Sequence, residues 1–86
     1  MIASIIIYST LTCPYCANAK ALLEKKGAEY KEIYVDKEPG KLDEMVSKSE
    51  GLTTVPQIFI NGKHIGGFDD LKKLNESGKL DVLLKG

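Results

Sequence analysis

The sequence predicts an α/β fold, a mixed four-stranded sheet with helices on both faces, in the order β-α-β-α-β-β-α-α. Three observations lead there. A continuously apolar, β-branched run at Ile5-Ile6-Ile7 is followed by helix-start chemistry at Thr12-Cys13-Pro14. A second β-rich run has residues at helical spacing on either side of it. Asn61-Gly62 then divides two short β-rich runs in the manner of a hairpin.

The elements follow in order. Ser4 to Tyr8 reads as a strand buried on both faces, which places it mid-sheet. Pro14 to about Lys26 is rich in helix formers, with Ala19, Leu22 and Leu23 on one face and Gly27 as the stop. Tyr30 to Val35 is the next strand, and strand-helix-strand over so short a span is a parallel crossover unit. After Pro39-Gly40, the residues Leu42, Met45, Val46 and Ser49 fall at i, i+3, i+4 and i+7 of an amphipathic helix that Gly51 ends. Pro56 to Ile60 and Lys63 to Ile65 form a hairpin around Asn61-Gly62, a pair suited to a type I′ turn. Gly66-Gly67 breaks the second strand, and Asp69 or Asp70 is expected to cap a short helix carrying Leu71 and Leu74. A final helix after Gly78 presents Leu80, Leu83 and Leu84. With no repeat or linker, residues 1–86 read as one domain, long enough to bury roughly 60–70% of the unfolded surface.

Composition narrows the function. Twelve basic residues balance twelve acidic ones, so the chain has no long-range field for a nucleic-acid backbone or an anionic membrane, and neither is an expected partner. The apolar run near the start lacks the flanks of a signal peptide, and no segment approaches the roughly 20 apolar residues of a bilayer span, so the expected location is the cytoplasm. Two cysteines in such a chain do not make a disulfide scaffold. Their spacing needs a chemical reason.

Proline suits the first position of a helix, which makes Cys13 the N-cap. A thiolate there faces the free N–H groups of the first turn, including that of Cys16, and the positive end of the helix dipole. Both favour the anion, so Cys13 is expected to be the attacking nucleophile. Cys16, inside the first turn and less exposed, is expected to keep its proton until it closes the pair by attacking the Cys13 sulfur. Half a zinc site is the competing reading, but a structural site wants four ligands and the chain adds only His64, without a second histidine. No metal is expected, and His64 reads as a surface residue.

The Cys13-Pro14-Tyr15-Cys16 motif resembles the dithiol glutaredoxins, and the likeness extends over most of the chain. Thr53-Thr54-Val55-Pro56-Gln57 is similar to that family's Thr-Val-Pro segment, and Gly66-Gly67-Phe68-Asp69-Asp70 to its Gly-Gly-x-Asp/Ser-Asp segment. The resemblance implies a thioredoxin-like fold and a cis Pro56 that turns the backbone of Val55 toward the thiols, where it can pair with an extended substrate. Read locally, Pro56 is instead a proline opening an edge strand, where no ladder donor is needed. The resemblance also implies a glutathione site made by the two segments. Thr54, Val55 and Pro56 would lie on one side and Gly67, Phe68, Asp69 and Asp70 on the other, with Tyr15 against the ligand. The γ-glutamyl carboxylate would meet the N–H groups of Phe68 and Asp69, and its ammonium Asp69 or Asp70.

One position departs from the pattern: many glutaredoxins have a lysine where this chain has Thr10, so the Cys13 thiolate and the glutathione carboxylate lose a favourable charge. Leu52 stands where some relatives are basic. The implied activity is reduction of protein disulfides and glutathione mixed disulfides by a monomer, with glutathione as cosubstrate and no permanently bound cofactor. Its partners would be disulfide-containing or glutathionylated proteins, ribonucleotide reductase among the candidates. Two other readings compete: a thioredoxin-like reductant served by a flavoprotein reductase, and a carrier of a glutathione-bridged 2Fe–2S cluster.

Overall fold

The computed structural model describes residues 4–85. Its elements are β1 (Ile5–Ser9), α1 (Pro14–Lys25), β2 (Lys31–Tyr34), α2 (Lys41–Lys48), β3 (Gln57–Ile60), β4 (Lys63–Gly66), α3 (Phe68–Glu76) and α4 (Lys79–Leu84). The sheet order is β2-β1-β3-β4. β1 runs parallel to β2 and antiparallel to β3, and β4 is antiparallel to β3. β1 therefore lies inside the sheet, as its unbroken apolar run requires.

Strand alternation sends side chains to two separate cores. Ile5 and Ile7 of β1 and Ile58 and Ile60 of β3 meet Ala19 and Leu23 of α1, Leu71 of α3 and Leu80 of α4 on one face. Tyr8, Ile33 and Phe59 meet Met45 of α2 on the other. The sheet is thus covered on both faces, three helices against one. Leu23, Leu71 and Leu80 are fully buried, so truncating any of them to alanine should cost about 2–5 kcal/mol. The thinner face adds a polar tie, the Tyr8 hydroxyl donating to Glu44 Oε2 at 2.6 Å. Among the described residues no helix is long and apolar enough to cross a membrane.

Two local expectations change. Pro56 does not open an edge strand: β3 lies between β1 and β4, Pro56 is buried, and the Val55–Pro56 bond is cis. Neither Asp69 nor Asp70 is the cap of α3, because the glycine pair lets the helix start earlier, with Gly67 as N-cap and Asp70 in its first turn. Asp70 still serves the helix start, its Oδ2 accepting the Gly67 N–H at 3.1 Å. The hairpin turn is as expected, with positive φ at both Asn61 (53°) and Gly62 (82°).

Candidate active site

The site is built where the C-terminal end of β1 delivers the chain to the start of α1. Cys13, in extended conformation, caps that helix with its sulfur, which accepts the Cys16 N–H at 3.2 Å. Pro14 opens the helix, where its missing N–H costs nothing, and no acidic residue occupies the first turn. The Cys13 side chain is partly exposed, whereas Cys16 is 1% exposed. Burial pushes the Cys16 thiol above the ordinary thiol range, and its hydrogen bonding to Cys13 acts the same way. A backbone hydrogen bond at Thr10 and the charge of Lys20 oppose them without prevailing.

Lys20, one turn further along α1, is the cation that acts weakly on Cys16. It is shared with Glu32, whose Oε2 lies 2.7 Å from its Nζ. Glu32 also accepts the Ser9 and Tyr34 hydroxyls, each at 2.8 Å. Desolvation works to raise the Glu32 carboxyl, but the hydrogen bonds from Lys20, Ser9 and Tyr34 together hold it below its ordinary value.

The opposite wall comes from the loop before β3. The Val55 carbonyl stands 3.7 Å from the Cys13 sulfur and can accept its S–H. Beside it runs an open groove of about 260 Å³, lined by Tyr15, Leu52, Thr54, Val55, Pro56, Gln57, Gly67, Phe68, Asp69 and Asp70. All the residues singled out in the sequence for ligand binding therefore converge on one groove, beside the Cys13 sulfur. Tyr15, 61% exposed, and Phe68 form its aromatic edge, their ring centroids 6.5 Å apart. Leu52 adds an exposed apolar surface to the groove.

The start of α3 closes the groove. Gly66 takes φ +119°, a conformation that favours glycine, and a Cβ there would displace the Asp70 carboxylate from its present position. The bare backbone lets that carboxylate fold back onto Gly67. Among the described residues no group of three or more His, Cys, Asp or Glu side chains gathers as metal ligands.

Sequence reasoning passed over two residues here. Gln57 lines the groove from a buried position, and His64 is half-buried rather than on the surface, its Nε2 2.7 Å from Gln57 Oε1 and its ring 4.9 Å from that of Phe59. A polar residue heading the strand Gln-Ile-Phe-Ile was the available signal for both.

A cysteine-capped helix with a second, buried thiol in its first turn has the arrangement of a dithiol redox site, and a thioredoxin-like sheet carries it. The glutaredoxin family model matches residues 5–65, and the chain belongs to the glutaredoxin family, whose members are thiol–disulfide oxidoreductases. It is 53% identical to glutaredoxin 3 of Escherichia coli K12 over 83 residues, covering 96% of this chain and 99% of that one. It is 50% identical to a glutaredoxin of Pseudomonas aeruginosa over 80 residues, 93% of this chain and 94% of the other. The solved structures agree. A buckwheat glutaredoxin–glutathione complex superposes with a TM-score of 0.86 at 36% identity, over 94% of this chain and 76% of the buckwheat chain. The solution structure of a Brucella melitensis glutaredoxin gives 0.84 at 51% identity, over 98% and 90%.

Proposed function

We propose that this protein reduces glutathione mixed disulfides and protein disulfides, with glutathione as the electron donor, in a reducing compartment of the cell. The observation that carries the reading is the Cys13 sulfur at the start of α1, touching Val55 at the head of a groove whose far end is the start of α3. The Cys13 thiolate attacks the glutathione sulfur of a mixed disulfide, and the target protein leaves as a thiolate that takes up a proton. Glutathione remains bonded to Cys13. A second glutathione thiolate then attacks that glutathione's sulfur, releasing oxidised glutathione and restoring the Cys13 thiolate.

Cys16 is not needed for that cycle. For a protein disulfide it is: after Cys13 has formed the mixed disulfide, Cys16 loses its proton, attacks the Cys13 sulfur and expels the reduced substrate, leaving the Cys13–Cys16 disulfide for glutathione to reduce. Such a pair works at about −200 to −230 mV, within reach of the glutathione pool. The groove supports the ligand assignment. It offers the Val55 backbone to a peptide, an aromatic edge from Tyr15 and Phe68, and, at the start of α3, free N–H groups beside Asp69 and Asp70 for the γ-glutamyl zwitterion.

The test is a glutathione-coupled assay on wild type, Cys13→Ser and Cys16→Ser, with a glutathionylated peptide and a protein disulfide as substrates. Cys13→Ser is expected to lose both activities, and Cys16→Ser to keep only the first. A Cys16→Ser protein inactive on the glutathionylated peptide, or a wild type that turns over with thioredoxin reductase but not with glutathione, overturns the proposal.

A further inference from the structure

Gln57 is polar, 2% exposed, and heads a strand that is otherwise Ile-Phe-Ile. Its amide hydrogen-bonds in two directions. Nε2 donates to the Thr54 carbonyl at 3.0 Å and to the Thr54 hydroxyl at 3.2 Å, while Oε1 faces His64 Nε2 at 2.7 Å. Because both amide hydrogens go to Thr54, the atom facing His64 is an acceptor, and His64 must donate from Nε2. The histidine is itself held in place, its ring tilted 32° over Phe59.

The grip on Thr54 reaches the thiols through covalent geometry. The Thr54 carbonyl and the Val55 N–H belong to one planar peptide group, so fixing the oxygen fixes the direction of that N–H. The next carbonyl, that of Val55, is the one 3.7 Å from the Cys13 sulfur. A substrate backbone meeting Val55 would therefore meet a peptide already aimed.

We infer that Gln57 is a positioning residue for the thiol–disulfide reaction, orienting the Thr54–Val55 peptide against the substrate backbone, and that His64 keeps the Gln57 amide in the orientation this needs. Glutamate at position 57 has the same shape and can accept from His64 but cannot donate to Thr54. Glutamine at position 64 can bring an N–H donor to the place of the imidazole Nε2. The part of the inference that concerns glutathione rests on the proposed function; the part that concerns peptide backbones does not.

The experiment measures KM and kcat for Gln57→Glu, His64→Ala and His64→Gln, alongside thermal melting. One assay uses glutathione with a glutathionylated peptide, the other dithiothreitol-driven reduction of a peptide disulfide. Loss of a hydrogen bond of ordinary strength should raise KM about three- to tenfold in Gln57→Glu, with kcat nearly unchanged. His64→Ala should show a smaller rise that His64→Gln reverses. Wild-type KM in Gln57→Glu in both assays overturns the inference. So does activity that falls only in step with the melting temperature, without recovery in His64→Gln. If no protein, wild type included, turns over with glutathione while the KM pattern holds with dithiothreitol, the glutathione reading fails and the positioning role of Gln57 stands.

Discussion

Two helices begin at the same groove, and their first turns are built differently. α1 starts with a sulfur cap, a proline and no acidic residue, so no carboxylate competes with the Cys13 sulfur for the free N–H groups of its first turn. α3 starts with Gly67 and puts Asp69 and Asp70 into its first turn, one of them already turned back onto the Gly67 N–H. The first end presents a single sulfur. The second presents donors and carboxylates together, which suits a ligand group that carries both charges. Under the proposed function, the difference would separate making a nucleophile from holding what it reacts with, on two helix starts that line one groove.

The largest effect expected from this contrast lies within α1 itself, in the unequal treatment of its two sulfurs. Burial raises the Cys16 thiol, so its thiolate is scarcer at neutral pH than that of a free cysteine. Closure of the Cys13–Cys16 disulfide, followed in stopped flow from a preformed Cys13 mixed disulfide, should accelerate about tenfold per pH unit from neutrality through the ordinary thiol value of about 8.5 without levelling. A plateau below that value would show that Cys16 is not shielded as its burial implies.

Neutralising α3 should give the next largest change. Asp69→Asn or Asp70→Asn is expected to raise the KM for glutathione about three- to tenfold, as befits a lost charge-assisted contact. Asparagine at position 70 still accepts the Gly67 N–H, so stability should move by less than about 0.5 kcal/mol. Unchanged glutathione kinetics in both variants would remove the mixed-charge reading of that end. The smallest effect comes from making α1 resemble α3. Ala17 is exposed at the end of the first turn, and Ala17→Asp should leave stability within about 0.5 kcal/mol, the dipole gain offset by the poorer helix propensity of aspartate, while slowing alkylation of Cys13 about two- to threefold. An alkylation rate unchanged by the added carboxylate would mean that the sulfur does not draw on that helix end.

The architecture was legible because its signals are local. Ile5-Ile6-Ile7, the Cys13-Pro14 helix start, the i, i+3, i+4, i+7 pattern from Leu42 and the Asn61-Gly62 turn each report on neighbours in sequence, and the elements fall within a few residues of where they were expected. What escaped depends on contacts across the sheet. Read locally, Pro56 looked like an edge residue, because nothing near it in sequence shows that β4 pairs outside β3; its cis bond was implied by the family resemblance alone. His64 looked superficial because Gln57, its partner, lies seven residues away across a hairpin. Asp69 and Asp70 looked like caps because a glycine pair leaves the helix start open, and the choice of Gly67 is settled by how Asp70 folds back. The pairing of Lys20 with Glu32 was likewise hidden, because only the parallel packing of β2 beside β1 brings the two together.

The burial of Cys16 beneath a partly exposed Cys13 has one more consequence, for chemical damage. An electrophile or oxidant too large to enter the core meets one sulfur rather than two. A sulfenic acid formed at Cys13 has a thiol waiting in the same helical turn, and the two can condense with loss of water before a second oxygen arrives. The resulting disulfide is a state from which thiols can recover both sulfurs, so the geometry that lets the two cysteines pair also guards them from irreversible oxidation.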